Sequence, residues 1–224
     1  MDKIFCFLKF TEREFAEKLI NKGQIYFNLP NTFNKLVNKE RGDDNEGAEW
    51  IDNSSIVHIK VEHPTLGTFE FQPVPNSVSK IVQYNYYFLS FSLYAITSAL
   101  FNNDNTHKID SQMSEFGDTA IIIDEPYIFL NAIISELKSK NLEYEINLVN
   151  YRDLTNGKVV LVPFDKKQEH QHHCEFRIII KNTDDTPKII EIGSIKNYSR
   201  QVSSKSIIES IWTAKRDLTT EKQN

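Results

Sequence analysis

The chain has 224 residues, 40% of them hydrophobic and 25% charged, with a formal net charge of −5. That length suits one domain over residues 1–224 with a substantial core, and the acidic balance excludes a general basic surface for non-specific nucleic-acid binding, leaving room only for a small local basic site. No run approaches the ~20 apolar residues of a membrane helix, and the opening MDKIFCFLKF lacks a small-residue cleavage pattern, so a cytoplasmic protein is expected.

In chain order, residues 3–10 (KIFCFLKF) read as a buried strand. Residues 11–22 follow as a helix, with Thr11 and Glu14 spaced as a capping box, Phe15, Leu19 and Ile20 at helical intervals, and Gly23 as the stop. QIYFNL (24–29) is the next strand, ended by Pro30. Residues 31–54 are polar and loop-like around NKERGDDNEG. Residues 54–62 and 67–73 pair as strands, and the aromatic run 84–94 (YNYYFLSFSLY) forms a central strand. Residues 95–115 read as short helical turns. TAIIID (119–124) is a buried strand.

The clearest helix covers residues 126–140, with Pro126 in its first turn and Phe129, Ile133, Ile134 and Leu137 on one face. Strands follow at 144–151, 158–163, 174–180 and 188–193, and a final helix at 204–215. Strands outnumber helices and do not alternate with them. The expected class is therefore α+β: mixed, mostly antiparallel sheets with a few flanking helices.

Aromatic residues reach 12%, so the core is expected to be largely aromatic. Cys6 and Cys174 sit in apolar or strand-like surroundings and read as buried thiols in a reducing compartment. Phosphate loops, dinucleotide-binding glycine fingerprints and nucleophile elbows are all missing.

What chemistry there is falls to carboxylates, hydroxyls and imidazoles. Glu175 and Arg177 share one face of a strand, either as a structural ion pair or as a cleft carboxylate beside an anion-holding guanidinium. Ser90 and Ser92 share a face of the aromatic strand and must find hydrogen-bond partners or line a pocket. The loop of Arg41, Asp43, Asp44 and Glu46 is either solvated or substrate-facing. Tyr26 and Asn28 share a strand face, with Phe33 following; such aromatics pack in a core or stack on a nicotinamide or base. His170 and His172 would share a face of an extended strand, but no third ligand is evident, so no metal is expected.

The order of FLKF (7–10), TEREFAEKLINKG (11–23), QIYFNLPNTF (24–33), SFS (90–92) and EFR (175–177) resembles the ADP-ribosyltransferase fold. There, a first strand bearing Arg or His is followed by a helix, a strand ending near a ligand-stacking aromatic, a Ser-x-Ser strand and a late strand with the catalytic Glu. Lys9 stands here at the first-strand position. KF, LINKGQIYFNLPNTFN, FLSFS, EFGDTAIII, LVNYRD and EFRIII are also similar to bacterial abortive-infection proteins of the AbiGi type. The nearest biological likeness is to mRNA-modifying toxins of anti-phage toxin–antitoxin–chaperone systems.

These resemblances imply NAD as co-substrate, an acceptor macromolecule (RNA ahead of protein) and an antitoxin partner. They imply catalytic roles for Glu175, Ser92 and Glu46, NAD contacts from Lys9, Tyr26, Asn28, Phe33, Ser90 and Arg177, and acceptor contacts from Arg41 and Asp43. They require Glu175 to face an open, dinucleotide-sized cavity. Two other readings stand: a non-catalytic, antitoxin-like binding protein of a defence operon, and a ribonuclease using His170 or His173 as acid–base groups.

Overall fold

Alternating apolar residues in the long strands give each of them two faces to bury, and the architecture follows from that. A computed structural model describes residues 2–34, 42–54, 58–74, 80–85, 87–181 and 184–215. The elements are β1 (Ile4–Thr11), α1 (Arg13–Lys22), β2 (Gln24–Phe27), α2 (Pro30–Asn34), β3 (Ala48–Asp52), β4 (Ile59–His63), β5 (Gly67–Phe71), β6 (Ile81–Tyr84), β7 (Phe88–Thr97), β8 (Thr106–Lys108) and β9 (Thr119–Ile123). They continue with α3 (Pro126–Ser139), β10 (Tyr144–Leu148), β11 (Asn150–Arg152), β12 (Lys158–Val160), β13 (Asp165–Lys167), β14 (Glu175–Lys181), β15 (Lys188–Glu191), β16 (Ser199–Ser203), α4 (Ser204–Glu209) and β17 (Ile211–Thr213).

The centre is a six-stranded sheet in the order β10-β14-β7-β1-β9-β16, antiparallel throughout. Smaller sheets pair β12-β3-β6, β15-β2, β17-β8, β4-β5 and β11-β13, the last of these in parallel. The protein is thus a strand-rich α+β fold with few helices.

One face of the large sheet carries Phe7, Phe91, Leu93, Ile121, Phe176 and Ile178, packed with Leu19 of α1, Phe129, Ile133 and Leu137 of α3, and Ile25 of β2. Full burial of each such side chain contributes roughly 1.5–3 kcal/mol. The other face carries Leu8, Phe10, Tyr94 and Ile96 against Met113, Ile207 and Ile208. Toward β14 that second face stops being apolar, and Ser92, Glu175 and Arg177 take over.

Several expectations change. β1 runs on through Thr11, which pairs with Thr119, so the N-cap of α1 is Glu12, without a side-chain capping bond. Gly23 does end α1 in the left-handed region, and a Cβ there would meet the Gly193 carbonyl oxygen at 2.1 Å, so both φ and space favour glycine. The expected loop 31–54 contains α2 and β3. Asn28 Oδ1 accepts from Leu29 N and Thr32 Oγ1 and starts the turn, while β3 becomes a strand by pairing with β6 and β12. The final helix stops at Glu209, because Ile211–Thr213 pair with β8. β16 was not foreseen; its sequence, SRQVS, is too polar to announce a strand. β6, β8 and β13 were not foreseen either, and β8 falls inside the stretch 95–115 expected as helical turns, where pairing with β17 makes it a strand. The strand expected at 54–62 is described from β4 onward, residues 55–57 lying outside the described residues, and the remaining strands and α3 lie within a few residues of expectation.

No helix among the described residues is long and apolar enough to cross a membrane. Both cysteines are free thiols; Cys6 is buried, whereas Cys174 is only partly so.

Candidate functional site

The register of β7 against β14 sets Arg177 opposite Ser92 and Glu175 opposite Tyr94. Side chains of directly opposed residues share a face, so Ser92, Glu175 and Arg177 meet on the side of the sheet away from α1 and α3. The chain reaches Glu175 through an unusual residue. Cys174, at φ 41° and ψ 47°, closes the 3₁₀ turn Gln168–His173 in a left-handed conformation. That is an unfavourable region for a residue with a Cβ. Cys174 is therefore outside the strand where the sequence had placed it.

Glu175 is buried, with 6% of its surface exposed, and all its partners are internal. Its Oε1 accepts from the Ser92 hydroxyl at 2.5 Å and from Arg177 Nε at 2.8 Å. Its Oε2 accepts from the Lys166 ammonium at 3.1 Å. Its backbone N–H donates to the Tyr151 hydroxyl at 2.8 Å. Arg177 turns its other end to Glu46, with Nη1–Oε1 at 2.9 Å and Nη2–Oε2 at 3.1 Å, a bidentate pair, and it also donates to the Pro163 carbonyl.

Glu46 arrives from the acidic loop, a turn in which Glu46 N donates to Asp43 O at 3.0 Å and Asn45 N to Asp43 Oδ1 at 2.9 Å. The loop is tied down on its outer side, where Lys80 and Lys167 hold Asp44 at 3.1 and 2.7 Å and the Tyr84 hydroxyl donates to Asp44 O.

Three buried carboxylates, Asp43, Glu46 and Glu175, thus face two cations, Arg177 and Lys166. Burial alone would raise Glu175, but Arg177 and Lys166 outweigh it and hold the carboxyl well below the usual range. Glu46 goes the other way. Burial raises it, Asp43 and Glu175 add repulsion, and these prevail over Arg177 and Lys166. Two neighbouring carboxylates with pKa values pushed apart have the form of an acid–base division of labour.

His170 and His173 belong to the 3₁₀ turn and are not in an extended strand, so the shared face predicted for His170 and His172 does not form. The His173 ring packs against His170, His172 and Phe116, and its Nδ1 faces Lys166 Nζ at 3.3 Å. Burial first and Lys166 second pull its pKa down to about 2, so it is a neutral acceptor at physiological pH. Among the described residues, no group of three or more His, Cys, Asp or Glu side chains is arranged to hold a metal ion.

The remaining candidates separate. Ser90 is buried opposite Ile179 and bridges through its backbone to Asn28. Lys9 donates to the Ser92 carbonyl at 2.8 Å but lies over the Phe91 ring at 4.7 Å, on the helix-packed face and across the sheet from the Glu175 carboxylate. Tyr26 lies neither in the core nor against the carboxylates: it is 48% exposed and pairs with Ile189 in the small β15-β2 sheet. Phe33, half-buried on α2, offers its carbonyl to Asp43 N at 3.3 Å. Arg41 lies outside the described residues.

Among the described residues, Glu175 does not open onto a dinucleotide-sized cavity as the resemblance requires: it is buried, with both oxygens engaged by its own chain. A recess of about 220 Å³, part of it open solvent, lies on the other side of Arg177, lined by Asn45, Glu46, Phe88, Pro163 and Asp165 among others. Glu175 does not line it.

Comparison with family models, curated proteins and solved structures gave no match for this chain.

Lys166 and Tyr151 complete the cluster and were not predicted. Lys166 sits in the run DKKQEHQHH, which reads as a solvated loop, and Tyr151 in an edge segment. Only the tertiary pairing of β11 with β13 sets Tyr151 beside Lys166.

Proposed function

We propose that this protein is an NAD-dependent ADP-ribosyltransferase with an ADP-ribosyltransferase-like fold, a toxin of bacterial anti-phage defence whose acceptor is a macromolecule, RNA ahead of protein. The observation that carries the reading is the contact of Ser92 with Glu175 at 2.5 Å across neighbouring central strands. It is a hydroxyl orienting a carboxylate that stays ionised.

Such a carboxylate is suited to stabilising positive charge rather than to moving protons. As the bond between ribose and nicotinamide breaks, the bonding pair leaves with nicotinamide, which departs neutral. Glu175 accepts the hydrogen bond of the ribose 2′-hydroxyl and stabilises the oxocarbenium character at the ribose carbon. The acceptor's nucleophile bonds to that carbon and gives its proton to Glu46, the carboxylate whose basicity burial raises. Of the two cations considered for the diphosphate, Arg177 borders the recess, while Lys9 is on the opposite face. Glu175 does not line that recess and both its oxygens are engaged, so the walls must give way on binding.

A second reading, a non-catalytic binding protein of antitoxin type, is favoured by the enclosure of Glu175, whose two oxygens are already engaged by its own chain. For the ribonuclease reading through His170 or His173, burial holds both imidazoles below their usual pKa, which suits a base better than an acid.

Expression of the wild type and Glu175→Gln in bacteria, with NAD consumption measured on the purified proteins, separates these readings. The transferase reading expects toxicity and nicotinamide release that Glu175→Gln abolishes. Equal behaviour of both proteins with no NAD consumed rejects it and favours the binding protein.

A further inference from the structure

The two oxygens of Glu175 are not held alike. Oε1 is fixed by Ser92 and Arg177, which stand on β7 and β14, neighbouring interior strands of the large sheet. Oε2 is held by Lys166 at 3.1 Å, from β13, a three-residue strand whose only strand partner among the described residues is the equally short β11. The Lys166 side chain is 10% exposed, so its ammonium is held on that oxygen largely out of solvent. It also has a second acceptor in place, His173 Nδ1 at 3.3 Å, so leaving Oε2 does not strand the charge.

We propose that Lys166 is a gate on Glu175: it occupies the oxygen that a ribose hydroxyl would take, and a ribosyl ligand binds by displacing the ammonium from Oε2 while His173 retains it. The proposal rests on the transferase reading and names how that site is kept closed at rest. Oε1, with two partners on the rigid sheet, keeps the carboxylate aimed throughout. A ligand must outcompete an intramolecular partner, so its apparent affinity is reduced by the fraction of molecules in which Lys166 has moved away. Removing the ammonium while keeping the aliphatic stem therefore raises affinity, a gain that mere structural damage does not produce.

The test is calorimetric titration of NAD into the wild type, Lys166→Met and Lys166→Arg, each checked for folding by circular dichroism. Lys166→Met is expected to bind on the order of tenfold more tightly, the factor for an open form near a tenth of the resting population. Lys166→Arg should return toward wild-type affinity. Acylation of Lys166 in the wild type, followed by mass spectrometry, supplies a readout that does not depend on any variant folding: slow in the free protein and faster with saturating NAD. Equal NAD affinity of the wild type and Lys166→Met, or acylation that NAD leaves unchanged, overturns the gate and leaves the transferase reading standing. No NAD binding by any of the proteins overturns both.

Discussion

The two faces of β14 solve the same burial problem in opposite ways. Phe176, Ile178 and Ile180 enter the apolar core under α1 and α3, where any well-shaped neighbour serves. Glu175 and Arg177, one residue out of phase, are just as deeply buried but depend on named partners: Ser92, Glu46 and Lys166. An apolar face loses stability in proportion to what is removed, whereas an ionic face loses it according to what is left unpaired.

Arg177→Ala gives the sharpest break between the two faces. It strips the guanidinium from Glu46 and leaves Glu175 with Lys166 as counter-charge, both carboxylates being 6% exposed, and is expected to cost about 3–5 kcal/mol in denaturant unfolding. The combination Glu46→Leu, Glu175→Leu, Lys166→Met and Arg177→Met, which leaves neither Glu175's nor Arg177's partner charge stranded, should recover most of that loss. If this fourfold variant is less stable than Arg177→Ala, the ionic face is not separable from the packing beneath it.

Acid provides the next break, and His173 beside the ionic face is a principal lever, with His170 and His107 also lowered by burial. The pKa of His173 is held down to about 2, from an ordinary value of 6.5. Between those values the unfolded chain binds a proton that the folded chain refuses, so stability rises with pH there and is lost as pH falls. The slope approaches about 1.4 kcal/mol per pH unit well below 6.5. The lowered Glu175 adds loss in the same direction below the usual carboxylate range. The raised Glu46 opposes it, because its contribution is present when protonated and fades as pH rises through its folded value. Unfolding free energies from pH 7 to 4 should therefore fall in the wild type and flatten in His173→Gln. An unchanged slope would mean that His173 is not the group refusing the proton.

The contrast between the faces also marks what the sequence makes legible. Strand β14, helix α3 and the shared faces of Glu175 with Arg177 and of Ser90 with Ser92 follow from periodicity, a local property. The resemblance implied a catalytic role for Ser92 and an NAD contact for Ser90, and the β7–β14 register is what sets Ser92 on Glu175. The links from Glu46 to Arg177, 131 residues apart, and from Tyr151 and Lys166 to Glu175 are products of tertiary closure with no local signature. Tyr26 misled for the complementary reason: alternation gives the two faces of β2 but not which of them the fold covers, and the Tyr26 face stayed open.

Ser92→Ala should cost about 1.5–3 kcal/mol, the worth of a hydrogen bond to an ionised group. It leaves Arg177 and Lys166 on Glu175, so the loss should stay below that of Arg177→Ala. In a double-mutant cycle with Glu175→Gln the two losses should not add, because the residues share one bond. Additive losses would mean that the hydroxyl and the carboxylate contribute independently, and the orienting role of Ser92 would fall.

The smallest effect belongs to the opposite face. Ile178 is fully buried, pairs with Phe91 and sits one residue from Arg177. Ile178→Val removes one methylene and is expected to cost about 0.5–1.5 kcal/mol. Because nothing that titrates is touched, the loss should be the same at pH 7 and pH 5, whereas variants of the ionic face change their cost over that interval. A loss at Ile178 that grew or shrank with pH would show the two faces coupled through the backbone of β14, and the separation drawn between them would have to be given up.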